Sequence, residues 1–440
     1  NVAIGINALF SNTTADDNVA VGRSALTNST TGALNTAVGS LALDANTTGA
    51  ENVAVGYGTL GSNTTGIDNT AIGASALTYN TTGSHNSGLS RATLVNNTTG
   101  SYNTAAGKSA SQANTTASNN AAFGYRALKV NTTGDSNTAL GSFALQANTT
   151  GTNNTAVGFE TLKTNTTSSQ NTAVGMYALK VTTGPNNTAI GFRALCANTT
   201  GHSNTALGQG SLLSSTTAIE NTALGRFSME ATTTGSYNTA VGISALPQST
   251  TAAANTSIGR RSLYSCTSGS NNVALGYISL YRVTTGEHNI AIGHGAGQQL
   301  TTGSGMIMIG TDAGAYGTHV VTGSNSILIG AYTEAGSTAP SQMIAMGYGC
   351  SGANSSFTDV DPRTQSINIE QKLFQGFAGI ASMEKSKIGL TLAEAKLLKT
   401  EQEILYQAIE AYSGLVFSDE KLNSPSEFFF TKFLIKSSVA

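Results

Sequence analysis

Tryptophan is absent from these 440 residues, cysteine occurs three times, and only 10% of the residues carry a charge. Each shortage removes a class of protein. With so few charges and a formal net charge of −2, there is no basic footprint for nucleic acid and no polybasic patch for a membrane surface. Solubility falls to Asn, Thr and Ser. Cys196, Cys266 and Cys350 sit at different places of the repeat described below, and an odd count without a CxxC pair gives neither a disulfide framework nor a zinc site. No apolar run approaches the length of a bilayer span, so no membrane insertion is expected. There is no Gly-x-Ser-x-Gly elbow, no HExxH and no acidic calcium-binding nonapeptide, and the expectation is a non-enzymatic chain without metal or cofactor. The chain opens inside a repeat without Met or a signal-like segment, so a processed or truncated start is expected.

What the chain has is repetition. The phrase Asn-Thr-Ala-Val-Gly-x-x-Ala-Leu-x-x-Asn-Thr-Thr-Gly-x-x fills most of it, as at 137–153. With its places numbered 1 to 17, the place-5 Gly recurs at Gly5, Gly22, Gly39 and onward to Gly175, with Ser90 standing in once. A one-residue contraction falls around Val181, where the turn's Asn reads as missing. The series resumes at Gly191 and runs to Gly310, and looser copies ending at Gly330 and Gly347 bring the count to 21. A fixed short period signals a solenoid built one supersecondary unit at a time.

Within a unit, places 2 and 4 share one face of an extended segment and places 3 and 5 the other. Place 4 is apolar (Ile4, Val21, Val38) and place 3 is nearly always Ala (Ala20, Ala54, Ala156), so the strand is expected to be covered on both faces. The place-9 Leu (Leu9, Leu26, Leu43) is expected to pack against the place-4 column. Segments this short cannot be helices, Gly suits a tight bend, and Asn-Thr-Thr-Gly supplies turn chemistry. One repeat therefore reads as one coil of an all-β, parallel β-solenoid. At ~4.8 Å per coil the stack is roughly 100 Å long. The place-1 Asn (Asn18, Asn35, Asn52, Asn69, Asn137, Asn154) predicts a ladder of stacked amides. The Thr columns (Thr13 and Thr14, Thr47 and Thr48) read as turn residues multiplied by duplication.

The expected organisation is regular repeats over 1–300, degenerate capping repeats over 301–350, a loop or neck over 351–389, and a helix with an apolar tail over 390–440. Leu397, Ile404, Ala408, Ala411 and Leu415 mark that helix, which suits either three copies around an axis or docking on the last coil. The apolar tail around Phe428 and Phe433 suits an assembly interface.

Variation concentrates at places 6 and 7. Arg23, Tyr57, Tyr125, Arg126, Phe159, Phe192, Arg193, Arg226, Phe227 and Tyr277 are the candidate recognition residues, since exposed Arg and aromatic side chains suit sugar or protein contacts. Phe143 and Tyr177 belong to the same places. The other reading is that they cover seams between chains. At place 17, Glu51, Asp68 and His85 fall on consecutive coils, the best case for acid–base or metal chemistry. The column continues as Tyr102, Asn119 and Ser136, which reads as a variable solvent-facing turn. Glu287, His288 and His294 form a second cluster that fits no metal motif. Asn46, Asn63 and Asn148 satisfy the N-glycosylation rule, which matters only in a eukaryotic source.

Over roughly residues 1–347, Asn-Thr-Ala-Val-Gly, Ala-Leu and Asn-Thr-Thr-Gly in register resemble the head repeats of YadA-like trimeric autotransporter adhesins. They resemble more closely the repeats of fibres from phages and phage-tail-like particles. The resemblance implies a left-handed parallel β-roll, three chains side by side in a homotrimeric rod, and an extracellular place at a virion or particle surface. The partners it implies are a host-surface glycan or protein receptor and other particle components. The Ala column (Ala3, Ala37, Ala71, Ala139, Ala173) and the place-4 column match that family's inward strand. A unit of seventeen residues is longer than the adhesin head's, and the C-terminus shows no β-barrel anchor pattern, which favours a particle fibre over a bacterial surface adhesin. A polysaccharide-depolymerising tailspike and an ice-binding solenoid are the remaining alternatives.

Overall fold

The computed structural model describes residues 1–317, 319–350 and the strand at 353–354. Twenty-two short strands occur there and no helix, numbered here in chain order from β1 (Val2–Ile4) and β2 (Val19–Val21) to β21 (Met343–Met346) and β22 (Ala353–Asn354). Each strand from β1 to β20 pairs in parallel with the next, and identical places stand over one another, as in Val2↔Val19, Thr155↔Thr172 and Leu328↔Ala345. The last strand, β22, returns antiparallel on β21. The chain is thus a parallel β-solenoid with a seventeen-residue coil. The helix and apolar tail expected over 390–440 lie outside the described residues, as does nearly all of the expected neck.

Why the strands stop after three residues follows from place 5. Gly124 has φ +134°, a backbone that side chains rarely adopt, and a Cβ added there would sit 2.6 Å from the carbonyl carbon of Gly141 in the next coil. Glycine is therefore favoured twice over, by its own dihedral and by its neighbour's approach, and Ser90 holds the same place at φ 116°. The chain then bends through residues at places 7 and 9 that hold left-handed φ without being glycine, such as Arg126 (φ 57°) and Leu128 (φ 50°), and again at place 17, as at Ser136 (φ 59°). Such residues cost about 1–3 kcal/mol each unless their surroundings impose them. Here the stack imposes them. Arg126 donates its N–H to Lys108 O at 3.1 Å, Leu128 to Ala144 O at 3.0 Å and Ser136 to Ser118 O at 3.0 Å, all in adjacent coils.

The core is a double column of Ala and Leu. Place-3 residues such as Ala20, Ala37 and Ala139 and place-9 residues such as Leu26, Leu43 and Leu145 are fully buried. The place-4 column does not join them. Val38, Ile72, Phe123, Leu140, Leu207 and Leu275 remain 37 to 48% exposed. The expectation of a strand covered on both faces is corrected for this chain: three-residue strands carry one inward side chain each, the Ala, and place 4 necessarily points the other way.

The contraction also falls elsewhere than expected. Val181 N–H donates to Cys196 O as a place-11 residue does, Thr183 takes the place-13 bonds to Thr199 O, and Thr182 is buried where the turn's Asn would be. The residue missing is the exposed second Thr of the turn.

Candidate functional site

Two buried amide columns tie the coils together. In the first, Asn52 donates from Nδ2 to Gly66 O at 2.9 Å and to Asn35 Oδ1 at 3.1 Å, while its own Oδ1 accepts the N–H of Asn69 at 3.0 Å. This is the predicted place-1 ladder. The second was not foreseen and runs through place 12, where Asn63 Nδ2 donates to Asn46 Oδ1 at 2.9 Å and to Gly66 O at 3.0 Å. The glycosylation motifs at Asn46, Asn63 and Asn148 are thereby sealed, since all three side chains are buried. An amide column needs consecutive amides. Asn165 Oδ1 and Asn198 Oδ1 are left without partners where Thr182 and Ser215 follow them one coil on. Beyond Asn198 the place becomes Ser215, Thr232, Ser249, Cys266, Val283 and Leu300, all buried.

At the surface, the candidate recognition residues divide into a cluster and several separate sites. Tyr125, Phe143, Phe159, Tyr177 and Phe192, from five consecutive coils, form an unbroken stack with centroid separations of 5.3, 6.0, 5.7 and 6.4 Å. The rings meet mostly edge to face, an arrangement aromatic quadrupoles favour. Cations lie over the faces left free: Arg126 over Tyr125 at 5.0 Å, Lys163 over Phe143 at 5.4 Å and Lys180 over Tyr177 at 4.8 Å. Glu160 bridges Lys163 at 2.7 Å and Lys180 at 3.0 Å. The hydrogen bond from Lys163 holds the Glu160 carboxyl below its ordinary value, with Lys180 adding to the effect, and Glu160 in turn raises Lys180.

Arg226 lies over Phe227 at 4.5 Å, and Tyr277 is flanked by Arg260 at 5.7 Å and His294 at 5.3 Å. Arg23, Tyr57 and Arg193 are exposed and make no ring or ion contact among the described residues. Sequence reasoning missed two further ring groups. Tyr264 stacks on Tyr281 at 5.0 Å, and Tyr316, Tyr332 and Tyr348 form a short ladder at 5.1 and 5.7 Å. Tyr264 and Tyr281 stand at place 10, and its spacing of seventeen residues was the available signal.

The place-17 column does come together. His85 Nδ1 lies 3.3 Å from Asp68 Oδ2, and the His85 ring stacks on Tyr102 at 4.8 Å. A hydrogen bond with Asp68, and then repulsion by its charge, raises the Glu51 carboxyl above its ordinary value. His294 faces Asp312 at 3.6 Å. No group of three or more candidate ligands that could hold a metal occurs among the described residues. The Thr columns differ in kind. Thr47 donates its hydroxyl to Thr64 O at 3.0 Å, so place 13 helps join the coils, and only the place-14 column is turned fully to solvent.

The widest feature is the outward place-4 column. Comparisons with protein-family models, curated proteins and solved structures find no match.

Proposed function

We propose that this chain is a non-enzymatic fibre subunit of a phage or phage-tail-like particle, a rigid homotrimeric shaft that attaches to a host surface through a glycan or protein receptor. The observation that carries this reading is the outward apolar column. Place-4 residues, among them Val38, Ile72, Phe123, Leu140, Leu207, Leu224, Ile258 and Leu275, stack on one sheet face, one per coil at ~4.8 Å, and have no covering layer in a single chain. An apolar stripe of that length on an isolated rod would be unusual, and partners of the same shape and length cover it most simply. A shaft built this way keeps its length through backbone pairing repeated in every coil, and it needs no chemistry to do its work.

The test is retention of the labelled full chain on whole cells and on immobilised surface polysaccharide. Saturable retention with no release of sugar is the expected result; absence of retention on every surface tried would overturn attachment. A depolymerase is the second reading, because Asp68 on the next coil raises the Glu51 carboxyl above its ordinary value. Carboxyls close enough for that influence leave little room for a sugar, whereas glycosidases hold theirs ~5 Å or more apart. Polysaccharide cleavage lost in Glu51→Gln would favour the enzyme.

A further inference from the structure

Charge on this solenoid is sorted by edge. The outward sheet face has places 16 and 17 along one border, before the strand, and places 6, 7, 10 and 11 along the other, after it. Across residues 1–305, all twelve Lys and Arg lie on the second border, and seven of the ten Asp and Glu lie on the first. No Lys or Arg occupies places 16 or 17 anywhere in that span, and all other places are uncharged. The three remaining carboxylates, Asp44, Glu160 and Glu230, share the basic border, and Glu160 is already paired with two lysines.

The two borders do not meet within one chain. They are separated by the strand: Glu220 and Arg226 flank Thr222–Leu224, and the three extended residues alone hold them more than ~7 Å apart. Accordingly every ion pair among the described residues joins groups of a single border: Lys163 and Lys180 with Glu160, His85 with Asp68, His294 with Asp312.

We infer that the two borders are complementary docking edges for a second copy of this chain, the acidic edge of one copy lying against the basic, aromatic edge of the next around a closed ring. This rests on the trimeric shaft proposed above and adds its orientation and register. Rings are built from heterologous contacts, in which one patch meets a different patch on the neighbour. Copies running parallel about an axis along the rod bring unlike edges together on both sides of the apolar face. A twofold axis across the rod would set each edge against itself and oppose like charges. The borders also match in height. Asp17 and Arg23, Asp135 and Arg126, and Glu220 and Arg226 each fall within one coil of each other, so parallel copies in axial register pair them. The stacked rings Tyr125 to Phe192 lie on the basic edge with their faces occupied by neighbouring rings and cations. They suit a seam to be covered better than a platform open to sugars.

The test is cysteine cross-linking of the full chain in a background of Cys196→Ser and Cys350→Ser. Glu220→Cys with Arg226→Cys is one double variant, and Asp135→Cys with Arg126→Cys repeats the test five to six coils away. A disulfide needs Cα atoms within about 7 Å, so neither pair can close within a chain. Under mild oxidation both double variants are expected to give covalent trimers on a denaturing gel, while each single variant stays a single chain. Cross-linking of single variants would overturn the inference, because like edges would then meet. A native trimer with no covalent species from either pair would overturn the edges and leave the shaft standing. A native monomer would overturn the shaft itself.

Discussion

The side-chain carbonyl of Asn52 accepts the backbone N–H of Asn69, one coil further along, at 3.0 Å. The same bond recurs through the place-1 column from Asn18 to Asn289, so each coil in that span is fastened to the next by a buried amide that cannot be exchanged for water at low cost. Replacing Asn69 by Asp keeps the shape but turns two donors into a carboxylate facing Gly83 O and Asn52 Oδ1. Burial and carbonyl repulsion would raise that carboxyl, so Asn69→Asp should lose stability as pH rises through its raised value. At neutral pH the loss should be on the order of 3 kcal/mol, and smaller near pH 4. Melting curves at the two pH values measure it, and equal losses would contradict the account.

Glycine should matter unequally along the coil. Gly124→Ala forces a Cβ to 2.6 Å from the Gly141 carbonyl carbon at φ +134°, and a cost on the order of 3 kcal/mol is expected. A Cβ at Gly134, at place 15, would also come close, 2.3 Å from Gly151 O, but without an unfavourable φ, so a small shift of the neighbouring coil can relieve it. Alanine already occupies that place at Ala117, Ala218 and Ala252, where it is buried. Amide hydrogen exchange in the flanking coils should rise strongly for the first variant and little for the second.

Acid and base should act with opposite sign at two carboxyls. Lys163 and Lys180 depress Glu160, so its contribution is present above the ordinary value of 4.5 and is lost as pH falls through the depressed value. Asp68 raises Glu51, so the folded state holds that proton more tightly, and what the pair contributes is lost as pH rises above 4.5. Melting temperatures against pH for Glu160→Gln and Glu51→Gln should each lose one of these slopes, the first below 4.5 and the second above it.

Burial pushes the Cys266 thiol up to about 12, with a backbone hydrogen bond at Gly269 opposing it in part. Native protein treated with a thiol-alkylating reagent near pH 8 should therefore keep Cys266 unmodified, while the partly exposed Cys196 reacts. Rapid modification of Cys266 before unfolding would show that the place-12 column is open.

The coil and its register were legible because a seventeen-residue period fixes both once a strand is recognised, and the place-1 ladder followed from a polar residue repeated without change. The sidedness of the strand was not. Alternation puts Ala37 and Val38 on opposite faces but does not say which face is inside, and the larger residue was the natural choice for the core. In the structure the small Ala faces inward because the place-9 Leu already fills the coil. The left-handed Leu128 and Arg126 could not be foreseen either, since only bonds from neighbouring coils hold them there. The aromatic stack was half visible. Tyr125, Phe159 and Phe192 stood out at place 6, but they join only through Phe143 and Tyr177 at place 7, a geometry set by the bend.

The most direct measurement is the mass of the native full chain in solution by light scattering. If the outward column of Val38, Phe123, Leu140 and Leu275 is the face on which three copies meet, the mass should be about three times the 44.6 kDa chain and hold on dilution. A stable, soluble species of 44.6 kDa with that column exposed to water would contradict it.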